Sequence, residues 1–170
     1  MKITAIIKKI TVSAAIILFA HFQAISDGLV VKGKVFNRST PIKGATVKLY
    51  EDVDLIKTIE TSAKGMYKFK LELNTVYYME ISYPNHIVKI IKIDTNVPVS
   101  GENRHKYDFN VKLFSLYGQE QNAAFNKPAA KINYNPRKDH FTFDKQYNRM
   151  IKKELREYKK LIYENWLAAK

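Results

Sequence analysis

The chain contains no cysteine, and this absence excludes several classes of protein at once. Without thiols there is no disulfide framework, no thiolate metal site, no cysteine nucleophile and no acylated cysteine anchor. Glycine is also scarce, and because the six glycines do not cluster, no glycine-rich phosphate loop is present. Core packing alone must therefore hold the fold, and a hydrophobic fraction of 46% is sufficient for a folded core.

Familiar catalytic motifs are missing as well. The histidines beyond the first 26 residues (His86, His105 and His140) stand far apart, and no His-Glu-x-x-His run or two-histidine metal spacing occurs. No Gly-x-Ser-x-Gly elbow is present either. We therefore predict no catalytic residues, no cofactor and no metal site, and we expect that the protein is not an enzyme.

Acidic residues are outnumbered by basic ones, 16 against 29, so the formal net charge is +13. Charge of this size bears on partners rather than on the fold. It favours contact with anionic lipid, acidic glycan, nucleic acid or an acidic protein. The alternative is that the lysines only cover solvated strand faces.

The first 26 residues resemble an export signal. Three lysines by position 9 are followed by the apolar run 10–22, and small residues then lead to Ser26. This run is about 13 residues long, which suits a secretory signal and is short for a membrane span. We predict a signal peptide over 1–26, with an uncleaved anchor as the alternative. The protein is then exported to the periplasm, the outer membrane or the exterior, and nucleic acid is disfavoured as a partner.

The segment 27–115 has the period-two alternation of β-strands. Ala45, Val47 and Leu49, for example, alternate with Thr46 and Lys48. Turn residues separate the alternating runs, and no helical pattern intervenes, which favours a two-sheet sandwich. Seven strands are predicted, near residues 29–35, 45–49, 55–61, 67–71, 77–83, 86–94 and 109–113.

Three short stretches in this segment resemble a known family. Residues 33–35 (GKV), 41–49 (PIKGATVKL) and 61–69 (TSAKGMYKF) are similar to a carboxypeptidase regulatory-like domain. The resemblance implies a seven-stranded transthyretin-like (prealbumin-like) antiparallel sandwich, and an accessory role in exported bacterial proteins. Gly44 and Gly65 would each permit a sharp turn into the strand that follows.

The remainder of the chain divides into two parts. Residues 116–143 are polar and contain two prolines, which is typical of an extended connector. Residues 144–169 change to helical spacing, with Asp144 as the predicted N-cap. The helix is amphipathic, because its apolar side chains recur every three or four residues.

The apolar stripe of this helix must be buried against something. The alternatives are its own sandwich, a partner protein or second copy, and an anionic membrane surface. For partner binding, we predict the stripe residues Tyr147, Ile151, Leu155, Tyr158, Ile162 and Trp166. For contact with anionic lipid or glycan, we predict the basic residues Lys152, Lys153, Arg156, Lys159 and Lys160.

These observations lead to an expected function. The chain is predicted to be a non-catalytic, exported accessory protein of the bacterial cell envelope, whose sandwich presents a basic amphipathic helix to an envelope or extracellular protein. The alternative is a charge-driven binder of anionic membrane or acidic glycan. The sequence leaves the identity of the partner and the oligomeric state open.

Overall fold

The computed structural model describes residues 28–98, 104–116 and 125–169, and the predicted signal peptide 1–26 lies outside them. Within the described residues, eleven strands form two sheets and one helix follows. The elements are β1 (Gly28–Asn37), β2 (Thr40–Pro41), β3 (Thr46–Glu51), β4 (Asp54–Glu60), β5 (Met66–Leu71), β6 (Val76–Ser82), β7 (Lys89–Asp94), β8 (Arg104–Asp108), β9 (Val111–Leu113), β10 (Ala130–Asn135), β11 (His140–Phe143) and α1 (Lys145–Ala168).

The five-stranded sheet is built around β1. Strand β5 pairs antiparallel with one edge of β1, and the short β2 pairs antiparallel with its end. Strands β8 and β9 pair parallel with β1, along residues 28–32 and 35–37 respectively. The parallel pairing along this edge of β1 is therefore interrupted at Gly33 and Lys34, between β8 and β9.

The six-stranded sheet has the order β11-β10-β7-β6-β3-β4. Its neighbours are antiparallel, except that β10 runs parallel to β7. In this pairing Ala130 lies opposite Ile91, and Ile132 lies opposite Ile93. All four side chains are buried in the core.

The mainly β sandwich with a C-terminal helix is confirmed. The seven predicted strands correspond to β1, β3, β4, β5, β6, β7 and β9. The number seven is corrected, because β2, β8, β10 and β11 are additional strands. The purely antiparallel arrangement is corrected too, because β8 and β9 pair parallel with β1, and β10 pairs parallel with β7. Two of these, β10 and β11, lie in the predicted connector 116–143, so its second half belongs to the six-stranded sheet instead.

The core lies between the two sheets and follows the alternation of the strands. Val47 and Leu49 of β3 face Tyr67 and Phe69 of β5 within one buried cluster. Removing such side chains from water contributes roughly 25 cal/mol per Å² of apolar surface. Gly44 and Gly65 have φ values of +72° and +70°, which confirms the predicted turns.

Helix α1 begins where the sequence predicted. The Asp144 side chain accepts a hydrogen bond from the Tyr147 backbone N–H at 2.9 Å, which satisfies one free donor of the first turn. The helix lies against its own sandwich through a second apolar cluster, formed by Ile87, Leu116, Phe125, Ile151, Leu155 and Ile162. In the described part of the chain, no helix is long and apolar enough to cross a membrane.

Candidate functional site

The stripe predicted to bind a partner is covered by the chain itself. Ile151 is 1% exposed, and Leu155 and Ile162 are also buried. Tyr147 and Tyr158 pack at the border of the same cluster, and the Tyr147 hydroxyl donates to the Pro128 carbonyl. Of the three alternatives for burying the stripe, the structure shows the first: the stripe packs on the chain's own sandwich. A partner would reach these side chains only if the helix left its place.

The remaining stripe residue, Trp166, is half-buried near the end of α1. Its indole ring lies 5.8 Å from the ring of Tyr163, measured between centroids.

The basic residues predicted for anionic contact do not form one surface. Lys152, Lys153 and Arg156 are exposed, and Lys160 is paired with Glu164 at 3.4 Å. Lys159 differs, because it is half-buried beside the stripe and points into the groove between α1 and the sandwich. It is the one predicted basic residue that joins a compact cluster.

That cluster, termed here the basic cluster, consists of Lys89, Lys112, Lys159 and Phe114. The Nζ atoms of Lys159, Lys89 and Lys112 lie 3.6, 4.4 and 5.9 Å from the centroid of the Phe114 ring. Each distance is within the range of a cation–π contact. Three ammonium groups from β7, β9 and α1 therefore converge on one aromatic ring.

The charges of the basic cluster are not balanced by the described residues. The ion pairs among those residues are made by other lysines, namely Lys32, Lys48, Lys127 and Lys160. Burial and, after it, the charges of Lys159 and Lys112 lower the pKa of Lys89 to about 8. Burial and the charge of Lys112 also lower the pKa of Lys159. The basic cluster is thus a positive and partly buried site that no described carboxylate pairs with.

Sequence reasoning missed Lys89, Lys112 and Phe114. Each lies at an ordinary position in or beside a strand, and only the packing of α1 brings Lys159 to them. A signal was nevertheless present, since Lys112 and Phe114 are two residues apart and so share one face of their strand.

The histidines have three different surroundings. His105 is 7% exposed, and its ring packs edge-on against Tyr134 and Phe141, so it joins the two sheets. His140 is exposed, whereas His86 lies in an open cleft with Asn37 and Ser115. Within the described ranges, no three His, Asp or Glu side chains are placed to hold a metal ion.

Comparisons with known proteins show no family for the chain. No family model matches it, and no curated protein does. The resemblance to a carboxypeptidase regulatory-like domain is therefore not confirmed, although the two-sheet sandwich that it implied is present.

Solved structures with a similar arrangement include enzymes and a binding protein. Catechol 1,2-dioxygenase from Pseudomonas arvilla C-1 is 14% identical, with a TM-score of 0.44, over 61% of this chain and 57% of that one. The dioxygenase domain of a dioxygenase–carbohydrate-binding fusion from Streptomyces sp. SirexAA-E is 14% identical, with a TM-score of 0.37, over 51% and 80%. A Bacteroides uniformis protein proposed to bind carbohydrate is 16% identical, with a TM-score of 0.33, over 53% and 42%.

The expectation that the protein is not an enzyme is corrected by this comparison, because dioxygenases stand among the similar structures. The prediction rested on missing sequence motifs, which do not exclude side chains that meet only in the fold. At these identities and TM-scores, the similarity carries no argument for any particular activity. Function must therefore be argued from the chain's own residues.

Proposed function

We propose that this protein is an exported binding protein whose ligand is an acidic glycan, held at the basic cluster. The observation that carries the proposal is the convergence of Lys89, Lys112 and Lys159 on Phe114 without a carboxylate partner among the described residues. Carboxylate or sulfate groups on a glycan would form charge-assisted hydrogen bonds with these ammonium groups. Export stays a prediction from residues 1–26, which the mass of the released protein tests.

A glycan suits the site better than a membrane surface. Interfacial binding needs a continuous exposed apolar helix face, and the centre of the stripe (Ile151, Leu155 and Ile162) is buried against the sandwich. On the outer side of α1, the exposed Glu157 and Glu164 reduce the positive charge that would face anionic headgroups. The protein-partner hypothesis depended on the same buried stripe and is not carried further.

The proposal is tested by replacing the three lysines of the basic cluster. Calorimetric binding of a sulfated glycan and of a polyuronate is compared with binding of neutral dextran. The variant K89Q/K112Q/K159Q is expected to bind the acidic polymers at least about tenfold more weakly, because it loses the charge-assisted hydrogen bonds from the three ammonium groups to the glycan's anionic groups. Wild-type binding should also weaken as salt is added, since exposed charges are screened.

The control variant is K152Q/K153Q/K160Q, which changes the net charge by the same amount at exposed positions of α1. It should retain affinity within about threefold, because surface charges contribute little individually. Equal losses in the two variants, or equal binding of dextran by the wild-type protein, would contradict a defined acidic-glycan site.

Binding should also depend on pH, with a sign that follows from Lys89. Its pKa in the free protein is about 8, and a bound anion would raise that pKa. Well below pH 8 the amine is charged in both the free and the bound state, so affinity is constant. Above pH 8 affinity should fall, approaching tenfold per pH unit until the pKa of the bound state is reached. The variant K89Q should lose most of this fall between pH 7.5 and about 9; a fall of unchanged size there would assign the titration to another group.

A further inference from the structure

Three polar side chains from distant parts of the chain meet in a cleft at one end of the sandwich. Asn37 ends β1, His86 lies between β6 and β7, and Ser115 follows β9. The Asn37 side-chain amide donates to the Ser115 hydroxyl at 2.7 Å and lies 3.1 Å from Nε2 of His86. The Ser115 hydroxyl and His86 Nε2 are 3.4 Å apart.

The surroundings of His86 determine which ring nitrogen carries the proton. Nδ1 lies 2.8 Å from the carbonyl oxygen of Pro84, which can only accept, so Nδ1 is protonated and donates. Nε2 of the neutral ring is then an acceptor, and its single lone pair accepts from the Asn37 side-chain amide. The ring of Tyr83 packs edge-on against the imidazole at 5.3 Å and helps to hold its orientation.

This arrangement contains the parts that an activated serine requires. Ser115 supplies the hydroxyl, His86 the base, and the Pro84 carbonyl the group that orients the base. The distance of 3.4 Å is long for a hydrogen bond, but such contacts commonly tighten only when substrate is bound. The hydroxyl accepts from Asn37, and its own hydrogen can turn towards Nε2 when the Asn37 amide gives up its contact with that nitrogen.

The cleft leaves room for a substrate and is positively charged. It is open, about 470 Å³ in volume, and Arg38 and Lys43 contribute to its walls together with Pro41. Positive groups in the walls of the cleft would favour an ester that bears a negative charge. The basic cluster is a separate site, because none of its four residues lines this cleft.

We infer that this cleft is a catalytic site that hydrolyses acyl esters, with Ser115 as nucleophile and His86 as general base. Ser115 Oγ forms a bond to the ester carbonyl carbon while its proton moves to His86 Nε2. The carbon–oxygen bond to the alcohol breaks, and the alcohol leaves with that proton, which gives an acyl-serine. Water then attacks the acyl carbon, His86 takes and returns the proton, and carboxylic acid and free Ser115 result. This activity goes beyond glycan binding and does not depend on it.

The experiment compares hydrolysis of p-nitrophenyl acetate and labelling by a fluorophosphonate in the purified protein. The variants Ser115→Ala and His86→Ala should each lower kcat/KM at least about 100-fold, as expected for loss of a nucleophile or a general base. The label should map to Ser115 by mass spectrometry and disappear in S115A. Added imidazole should restore part of the activity of H86A, which a purely structural role for His86 would not allow.

Matched controls are available within the chain. His140 Nδ1 contacts the Lys138 carbonyl at 2.8 Å, the same local arrangement as His86 with Pro84. Ser39 is an exposed serine that follows the cleft residue Arg38 in the sequence. H140A and S39A should retain full hydrolysis and labelling. The inference is overturned if the wild-type protein hydrolyses the ester no faster than buffer, if S115A keeps the wild-type rate, or if the label maps elsewhere.

Discussion

Replacing Gly33 with alanine is expected to lower the free energy of unfolding by about 3 kcal/mol, the upper end of the usual cost of overpacking. A Cβ at this position would lie 1.7 Å from the carbonyl oxygen of Phe109 and 2.9 Å from the Tyr67 hydroxyl. Gly33 sits opposite the break between β8 and β9, where the Phe109 carbonyl crosses β1.

The obstruction cannot be relieved by a small side-chain movement. The Tyr67 hydroxyl donates to that same carbonyl at 2.7 Å, and burial raises the pKa of the phenol, so it stays neutral as a donor. Making room for a methyl group would displace the backbone of Phe109 and break this buried hydrogen bond. The displacement would affect the pairing of β1 with both strands that flank the break, β8 and β9.

Gly44→Ala provides the matched control. Gly44 has a φ of +72° but nothing within 4 Å of an added Cβ, so the variant has only the backbone cost of roughly 1–2 kcal/mol. Urea unfolding followed by tryptophan and tyrosine fluorescence measures both variants. If G33A and G44A were destabilised equally, close approach at Phe109 would not be the reason for glycine at position 33.

Shortening Ile151 to alanine is the second large effect expected. Ile151 is 1% exposed and packs with Ile87, Leu116 and Phe125, so removing its branched chain leaves a cavity between α1 and the sandwich. The expected loss is about 2–4 kcal/mol in the free energy of unfolding. Amide hydrogen exchange should also become faster along α1, because the helix is held by this contact.

Met150 is the neighbouring control, since its side chain is 53% exposed. M150A should change stability by less than about 0.5 kcal/mol. If I151A were as mild as M150A, the stripe would not be packed on the sandwich in solution, and the alternative of a partner-binding stripe would return.

Much of the fold was predictable because strand and helix patterns are local. The alternation of Ala45, Val47 and Leu49 reports a half-buried strand, and Asp144 reports the start of α1; both follow from backbone geometry within a few residues. Strands β10 and β11 were missed although Ala130 and Ile132 alternate with polar residues. Two prolines and several asparagines favoured a loop, and pairing with β7 outweighed that preference.

The candidate sites were less predictable for a different reason. Lys159 was singled out only as one of five basic helix residues, and its partners Lys89 and Lys112 belong to two other elements. His86 is 49 residues from Asn37 and 29 from Ser115, so no motif spacing connects the three. Motif spacing therefore gave no sign that the fold places His86 beside Ser115.

The sequence by itself determined that the chain lacks thiol chemistry, that it is strongly basic, that its middle is a β-sandwich and that it closes with a capped amphipathic helix. These properties depend on composition and on side-chain periodicity, which each element carries within itself. The tertiary structure alone decided that the helix stripe is covered by the sandwich, that three lysines share one aromatic ring, and that Asn37, His86 and Ser115 meet. Those outcomes depend on which elements become neighbours, and that is set by pairing and packing between residues far apart in the chain.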